Sequence, residues 1–381
     1  MNEVVSSAFN EVADRARRFV KEHVEPEARK IDRDQCFPEA LSRLIGSEGW
    51  LGIALPVQWG GGGIGPREYA RVVEEFGWGC ASARTLLTVH NMSAQALLKH
   101  GTEEQRARFL PALANGTSII AFALTEPSAG SDANAIKARV VEAGDAYILA
   151  GEKVWCSFGA IADRFLTFAM CDGKPLALIV ERDSPGFEIE RTVDVFGTRG
   201  SEIATLRFKD VRVSVANRIG TVGAGIRFVA NTALDHGRFS VACGSVGTIR
   251  ACLDACADYT TQRHQGGGPI AQHQLVRRIL TDGLVAVTSA RALCERVAAL
   301  RATKNPRAAA ETALTKYYNA TAAIKVANDA VALLGANGCS PDFPVSRYLR
   351  DATVAGIIEG TREIHQVSLA SYALQRPWLH D

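Results

Sequence analysis

The sequence predicts a mainly α-helical protein with a small β domain set into its middle. Two patterns carry this expectation. Apolar residues recur at helical spacing through both ends of the chain, whereas between about residues 119 and 225 short β-rich runs separated by Gly and Asp turns take over. The length, 381 residues, exceeds one ordinary core and calls for two or three domains. The expected division is an N-terminal helical domain over 1–118, a middle β domain over 119–225, and a C-terminal helical domain over 226–381.

In the first zone VADRARRFVKEHV, YARVVEEFG and AQALLKHGTEEQRARFLPALANG read as helices. Thr102 followed by Gln105 predicts a capping box, and Asn115-Gly116 predicts a stop. In the second zone IIAFALT, IKARVV, AYILA, RFLTFAM, PLALIVE and IATLRF predict a compact antiparallel barrel or sandwich. In the third, Val276 to Leu300 and AAIKVANDAVALLG, ending at Gly335, predict a bundle of four helices.

Composition excludes several functions. A formal net charge of +2 with 22% charged residues gives no footprint for nucleic acid or membrane as the main partner. No apolar run reaches the roughly 18 residues of a membrane span. The first twenty residues include acids and lack a signal-peptide core, so they read as the start of a helix. Nine scattered cysteines read as free thiols of a reducing cytoplasm; Cys252 and Cys256 have helical spacing but no cluster to complete a metal site. His264, His273 and His365 stand alone and read as structural.

Six stretches bear on chemistry. WGGGGIGP contains Gly60-x-Gly62-x-x-Gly65, a literal dinucleotide fingerprint, but it lacks the following parallel strand and reads as a flexible surface loop. LTEPSAGSD leaves a strand for small and hydroxyl-bearing residues that a flat ligand can approach closely, and EKVWCSFGA brings an indole and a hydroxyl to another strand end. LDHGRF opens the last zone with Asp235, His236 and Arg238; Arg263 precedes a Gly run in a position suited to phosphate. In IIEGTREIHQ, Glu359 lies directly behind two isoleucines: a helix cap, or a base kept partly dry.

In this order LTEPSAGSD (124–132), VWCS (154–157), LDHGR (234–238), QR-x9-HQ (262–274), LLGANG (333–338) and LRDATVAGIIEGTREI (349–364) resemble the acyl-CoA dehydrogenase family over nearly the whole chain. The resemblance implies FAD as cofactor. It assigns flavin contacts to Phe122, Leu124, Thr125, Ser131, Trp155 and Ser157, and cofactor contacts from a neighbouring subunit to Arg263 and Gln274. Thr361 and Glu363 would close the cofactor site, and Ser131, Asp235 and Arg238 would line the acyl-thioester pocket. Glu359 falls on the family's catalytic base. Next to it, Gly360 would let the backbone donate to the thioester oxygen, and burial beside Ile357 and Ile358 would raise the pKa of the base. An oligomer follows, a homotetramer or homodimer, with electron-transferring flavoprotein as the default acceptor.

There are departures. Ser157 stands where the family usually has threonine, Gly266-Gly267-Gly268 where an aromatic is common, Ala332 and Gly335-Ala336 where Gln and Gly-Gly are common, and Ile358 where tyrosine is frequent. HGRFSVACGSVG, LLGANGCS and IIEGTREIHQ look most like the subgroup that oxidises acyl groups on acyl carrier proteins in polyketide or nonribosomal extender-unit pathways. The alternatives are an acyl-CoA dehydrogenase of catabolism, a flavin oxidase or monooxygenase on the same scaffold, and a non-catalytic binding protein. Retention of Glu359 speaks against a monooxygenase and against a non-catalytic protein.

Overall fold

The computed structural model describes residues 2–379; Met1, His380 and Asp381, which close the expected outer domains, lie outside the described residues. Six helices come first: α1 (Asn2–Phe19, continuing through a wider turn to Val24), α2 (Ala28–Asp34), α3 (Glu39–Ser47), α4 (Pro66–Gly79), α5 (Ala81–His100) and α6 (Glu103–Ala114). The predicted capping box forms: Gln105 N donates to Thr102 Oγ1 at 3.3 Å, and Thr102 N to Gln105 Oε1 at 2.9 Å. The stop forms too, at Asn115 and a left-handed Gly116. The glycine-rich stretch after Trp59 is a loop, but a packed one. Gly62, Gly63 and Ile64 donate their backbone N–H groups to Gly52, Leu55 and Ile53.

Eight strands follow: β1 (Ile120–Ala123), β2 (Arg139–Ala143), β3 (Ala146–Cys156), β4 (Arg164–Cys171), β5 (Lys174–Glu181), β6 (Phe187–Arg191), β7 (Ala204–Ser214) and β8 (Arg218–Ile219). They hydrogen-bond in the order β6-β7-β3-β2-β4-β5-β8, with β1 alongside β4. Most pairs are antiparallel, but β1 and β2 both run parallel to β4. The expected compact β domain, a barrel or sandwich, is present, with two corrections: the sheet is mixed rather than wholly antiparallel, and it does not close into a barrel. It folds over its own core instead, because Phe187 of β6 meets Phe165 of β4 edge-on at 4.9 Å although several strands separate them in the sheet. The side chains of β5 alternate between two cores. Leu176, Leu178 and Val180 face this interior, while Ala177 and Ile179 pack under α5 and α6.

The last zone comprises α7 (Asn231–Gln262), a two-residue hairpin β9 (His264–Gln265) and β10 (Gly268–Pro269), α8 (Gln274–Ala302), α9 (Ala308–Leu334), α10 (Val345–Ile357) and α11 (Arg362–Ala373). Helices α7 to α10 form the expected bundle, and α4 packs on α7 from the N-terminal domain, so one core joins both helical zones. At that junction Arg250 of α7 and Arg291 of α8 bind the buried Glu74 and Glu75 of α4. None of the nine cysteines forms a disulfide; seven are buried, and Cys36 and Cys339 are exposed.

Candidate active site

Residues 358–361 form a tight link between α10 and α11. Ile358 ends α10, and Thr361 caps α11 by accepting the Ile364 N–H at 3.3 Å. The capping role that Glu359 might have had thus belongs to Thr361. Glu359 itself is left-handed at φ 59°, a strained setting for a non-glycine residue, and is followed by Gly360 at φ 97°. This turn points the carboxyl at α7, where a Cβ on Gly237 would fall 2.5 Å from its carbon. Only glycine allows that approach.

Two cations hold the backbone of the turn. Arg238 Nε of α7 donates to the Glu359 carbonyl at 3.1 Å, and Lys316 Nζ of α9 donates to the Gly360 carbonyl at 2.7 Å. The carboxyl is treated differently: its Oε2 is buried and accepts no hydrogen bond. Burial accordingly raises the Glu359 pKa to about 7, against the pull of Arg238, Lys316 and Arg84. Burial also pushes the Lys316 ammonium down to about 8, and the charge of Glu359 partly restores it. The source of the dryness differs from the sequence expectation. Ile357 is 58% exposed and covers nothing, whereas Ile358 packs on Val241, Ala320 and Ala355, and α7 and α9 supply the rest of the cover.

Asp235, one turn before Arg238 on α7, binds Arg301 Nη1 through Oδ2 at 2.6 Å, while its Oδ1 is buried without a partner. Ser131 is exposed in the loop after β1. In the β domain two segments are tied together by a pair the sequence reading missed. Lys153 Nζ donates to Glu126 at 2.7 Å and to the Leu124 carbonyl at 3.0 Å, both side chains being buried. Glu126 also accepts the N–H groups of Lys137 and Ala138, and Val154 N–H donates to the Thr125 carbonyl. A buried lysine one residue before VWCS and a glutamate inside LTEPS were the available signal. Beyond this tie the register of β3 against β7 slips, Trp155 turns left-handed, and its indole stands 61% exposed beside the half-buried Ser157. Phe122 of β1 leans on Phe168, and its carbonyl accepts the Cys156 thiol.

An exposed Trp155 and a half-buried Ser157, on a strand tied to the Leu124–Glu126 segment, fit a flat ring system, the kind of group FAD would lay there. Arg263 and Gln274 are not brought to these residues. Both are exposed: Arg263 directly precedes the β9–β10 hairpin, its backbone donating to the Tyr259 carbonyl and accepting from the Ile270 N–H, and Gln274 opens α8. Glu363 is likewise exposed, paired with Arg362.

The sequence matches, in order, the N-terminal (residues 6–117), middle (121–211) and C-terminal (223–374) domains of acyl-CoA dehydrogenases. It is 37% identical over 368 residues to the acryloyl-CoA reductase (NADH) of Anaerotignum propionicum, covering 95% of this chain and 93% of that one. The chain belongs to the acyl-CoA dehydrogenase family. Its fold superposes on that of the prolyl acyl carrier protein oxidase AnaB with a TM-score of 0.92 at 28% identity, covering 96% and 99% of the two chains. FkbI, described for biosynthesis of the methoxymalonyl extender unit of the polyketide FK520, superposes with a TM-score of 0.89 at 32% identity, covering 94% and 99%. Other matches include short-chain acyl-CoA, butyryl-CoA and glutaryl-CoA dehydrogenases. As an acyl-CoA dehydrogenase family member, the protein is an FAD-dependent oxidoreductase that acts on the CH–CH bond of an acyl thioester.

Proposed function

We propose that Glu359 removes the α-proton of an acyl thioester carried on an acyl carrier protein, in the making of a polyketide or nonribosomal extender unit. The observation that carries the chemistry is the unpartnered, buried Glu359 Oε2 on a turn whose two carbonyls are already held by Arg238 and Lys316. A thioester α-proton is weakly acidic, so the base needs a raised pKa and a fixed direction; the turn supplies both. Gly360, with no side chain, would let the backbone approach the thioester carbonyl and donate to the oxygen that gains charge as the proton leaves. Asp235 keeps Oδ1 for a donor on the thioester arm. FAD, when bound there, would supply the acceptor for the hydride of the β-carbon.

The cofactor would lie against Phe122, Leu124, Thr125, Trp155 and Ser157, with Thr361 and Glu363 at its far end. The Thr361 hydroxyl accepts from Ile364 and also contacts the Glu363 carboxylate. Arg263 and Gln274 stand exposed on this protomer, which supports their reaching the cofactor of a neighbouring subunit. Leu275, Leu284 and Val285 on α8, more than half exposed, support an oligomer built through the same region. Electron-transferring flavoprotein is the proposed acceptor.

The carrier-protein reading rests on the likeness to AnaB and FkbI. The relatives that use CoA thioesters favour acyl-CoA catabolism as the second reading. Anaerobic bleaching of the flavin with one acyl group, presented on a carrier protein or on CoA, separates them. Bleaching at least about tenfold faster with the carrier-bound form supports the first reading; equal or faster bleaching with acyl-CoA overturns it.

A further inference from the structure

Arg84, on α5, is 3% exposed, yet among the described residues it forms no ion pair. Its guanidinium donates one hydrogen bond, from Nη1 to Thr88 Oγ1 at a long 3.3 Å. A buried guanidinium is costly unless a carboxylate or several acceptors meet it, and neither is supplied by the fold. Burial lowers its pKa, and Asp351 and Glu359, acting from a distance, only partly offset this.

Its place is informative. Arg84 packs against Gly244 of α7, where a Cβ would lie 2.8 Å from its Cδ and 3.0 Å from its Nε, just as Gly237 of the same helix faces the Glu359 carboxyl. Seven residues separate the two glycines, so the guanidinium and the base stand roughly 10 Å apart along one face of α7. Between them the surface carries hydroxyls where a hydrocarbon tail would want methyl groups. Thr88 and Ser240 share a hydrogen bond of 2.6 Å, and Tyr69 is buried beside them. These hydroxyls bond to one another, so a saturated aliphatic chain would leave the cation without an anionic partner.

We infer that the acyl group of the substrate ends in a carboxylate, which Arg84 binds at the end of the acyl site remote from the thioester. This deepens the proposed function and rests on Glu359 marking the reacting end of that site. The substrate class is then the half-thioester of a short dicarboxylic acid, with Thr88 orienting the guanidinium. A planar fork of donors meeting a carboxylate two-on-two fixes both the length and the direction of the acyl chain.

The test is equilibrium binding to the FAD-loaded enzyme of two pantetheine thioesters of equal length, one ending in a carboxylate and one in a methyl group, measured by calorimetry. Wild type binds the carboxylate-ended thioester roughly 30-fold or more tightly; Arg84→Met loses that preference, and Arg84→Lys keeps part of it. Equal binding by wild type, or tighter binding of the methyl-ended thioester, overturns the inference, as does an Arg84→Met variant that weakens both alike. If Arg84→Met does not fold, the wild-type ratio and Arg84→Lys decide. Because no turnover is read, a failure of dehydrogenation leaves this outcome standing, and bleaching of the flavin in the same samples reports separately on Glu359.

Discussion

At residue scale, the proposed chemistry depends on one carboxyl and the two cations around its turn. Because Glu359 titrates near 7, kcat/KM should rise with pH through that value as the base loses its proton. Arg238, Lys316 and Arg84 all favour the ionised form. Lys316→Met should therefore shift the rise to higher pH and slow turnover about tenfold or more, by removing both a charge and the Gly360 tie; Lys316→Arg should restore part of each. A pH–rate profile checks this, and an unshifted profile would assign Lys316 to folding alone. The same carboxyl bears on stability. Its pKa is raised on folding, from 4.5 to about 7, so its contribution is fully present below about 4.5 and is lost as pH rises through 7. Glu359→Gln removes that loss. Thermal melts between pH 5 and 8 should show the variant gaining on wild type as pH increases.

At the scale of elements, the link between strands in the β domain matters most. The Glu126–Lys153 pair is buried and joins the two segments proposed to face the flavin, so Lys153→Met leaves an uncompensated buried carboxylate and should cost about 3–5 kcal/mol. Trp155→Ala makes the opposite case. An indole 61% exposed contributes little to the protomer, so stability should change by no more than about 0.5 kcal/mol while FAD is retained far less well. Melts and flavin content after gel filtration read both.

What was legible in the sequence follows the same division. Helices α8 and α9 and the capping box of α6 are written in local spacing and could be read there. The short β6 and β8 were not anticipated, and the parallel pairing of β1 and β2 to β4 could not be, because strand partners depend on contacts distant in the chain. Glu359 was legible through its motif. The sources of its burial were not: the adjacent Ile357 points outward, and the covering residues, Gly237 and Lys316, come from helices 122 and 43 residues away. Arg84 gave no sequence signal at all, since an arginine in a helix is ordinary until its surroundings are known.

For the whole molecule, the two helical zones share one core while the β domain folds over its own, and the candidate site is assembled from α7, α9 and the α10–α11 link. Arg263 and Gln274 lie outside that assembly. If a second subunit completes the cofactor site, Arg263→Glu should lower FAD retention and the stability of the oligomer without altering the melt of the isolated protomer. Sedimentation with absorbance at the flavin band would resolve the two effects.

The central claim is that Glu359 is the base. Single-turnover bleaching of the flavin, without oxygen and with a saturating acyl thioester, compares wild type with Glu359→Gln directly. Bleaching should be at least about a thousandfold slower in the variant, with FAD content unchanged. Bleaching at the wild-type rate would contradict it.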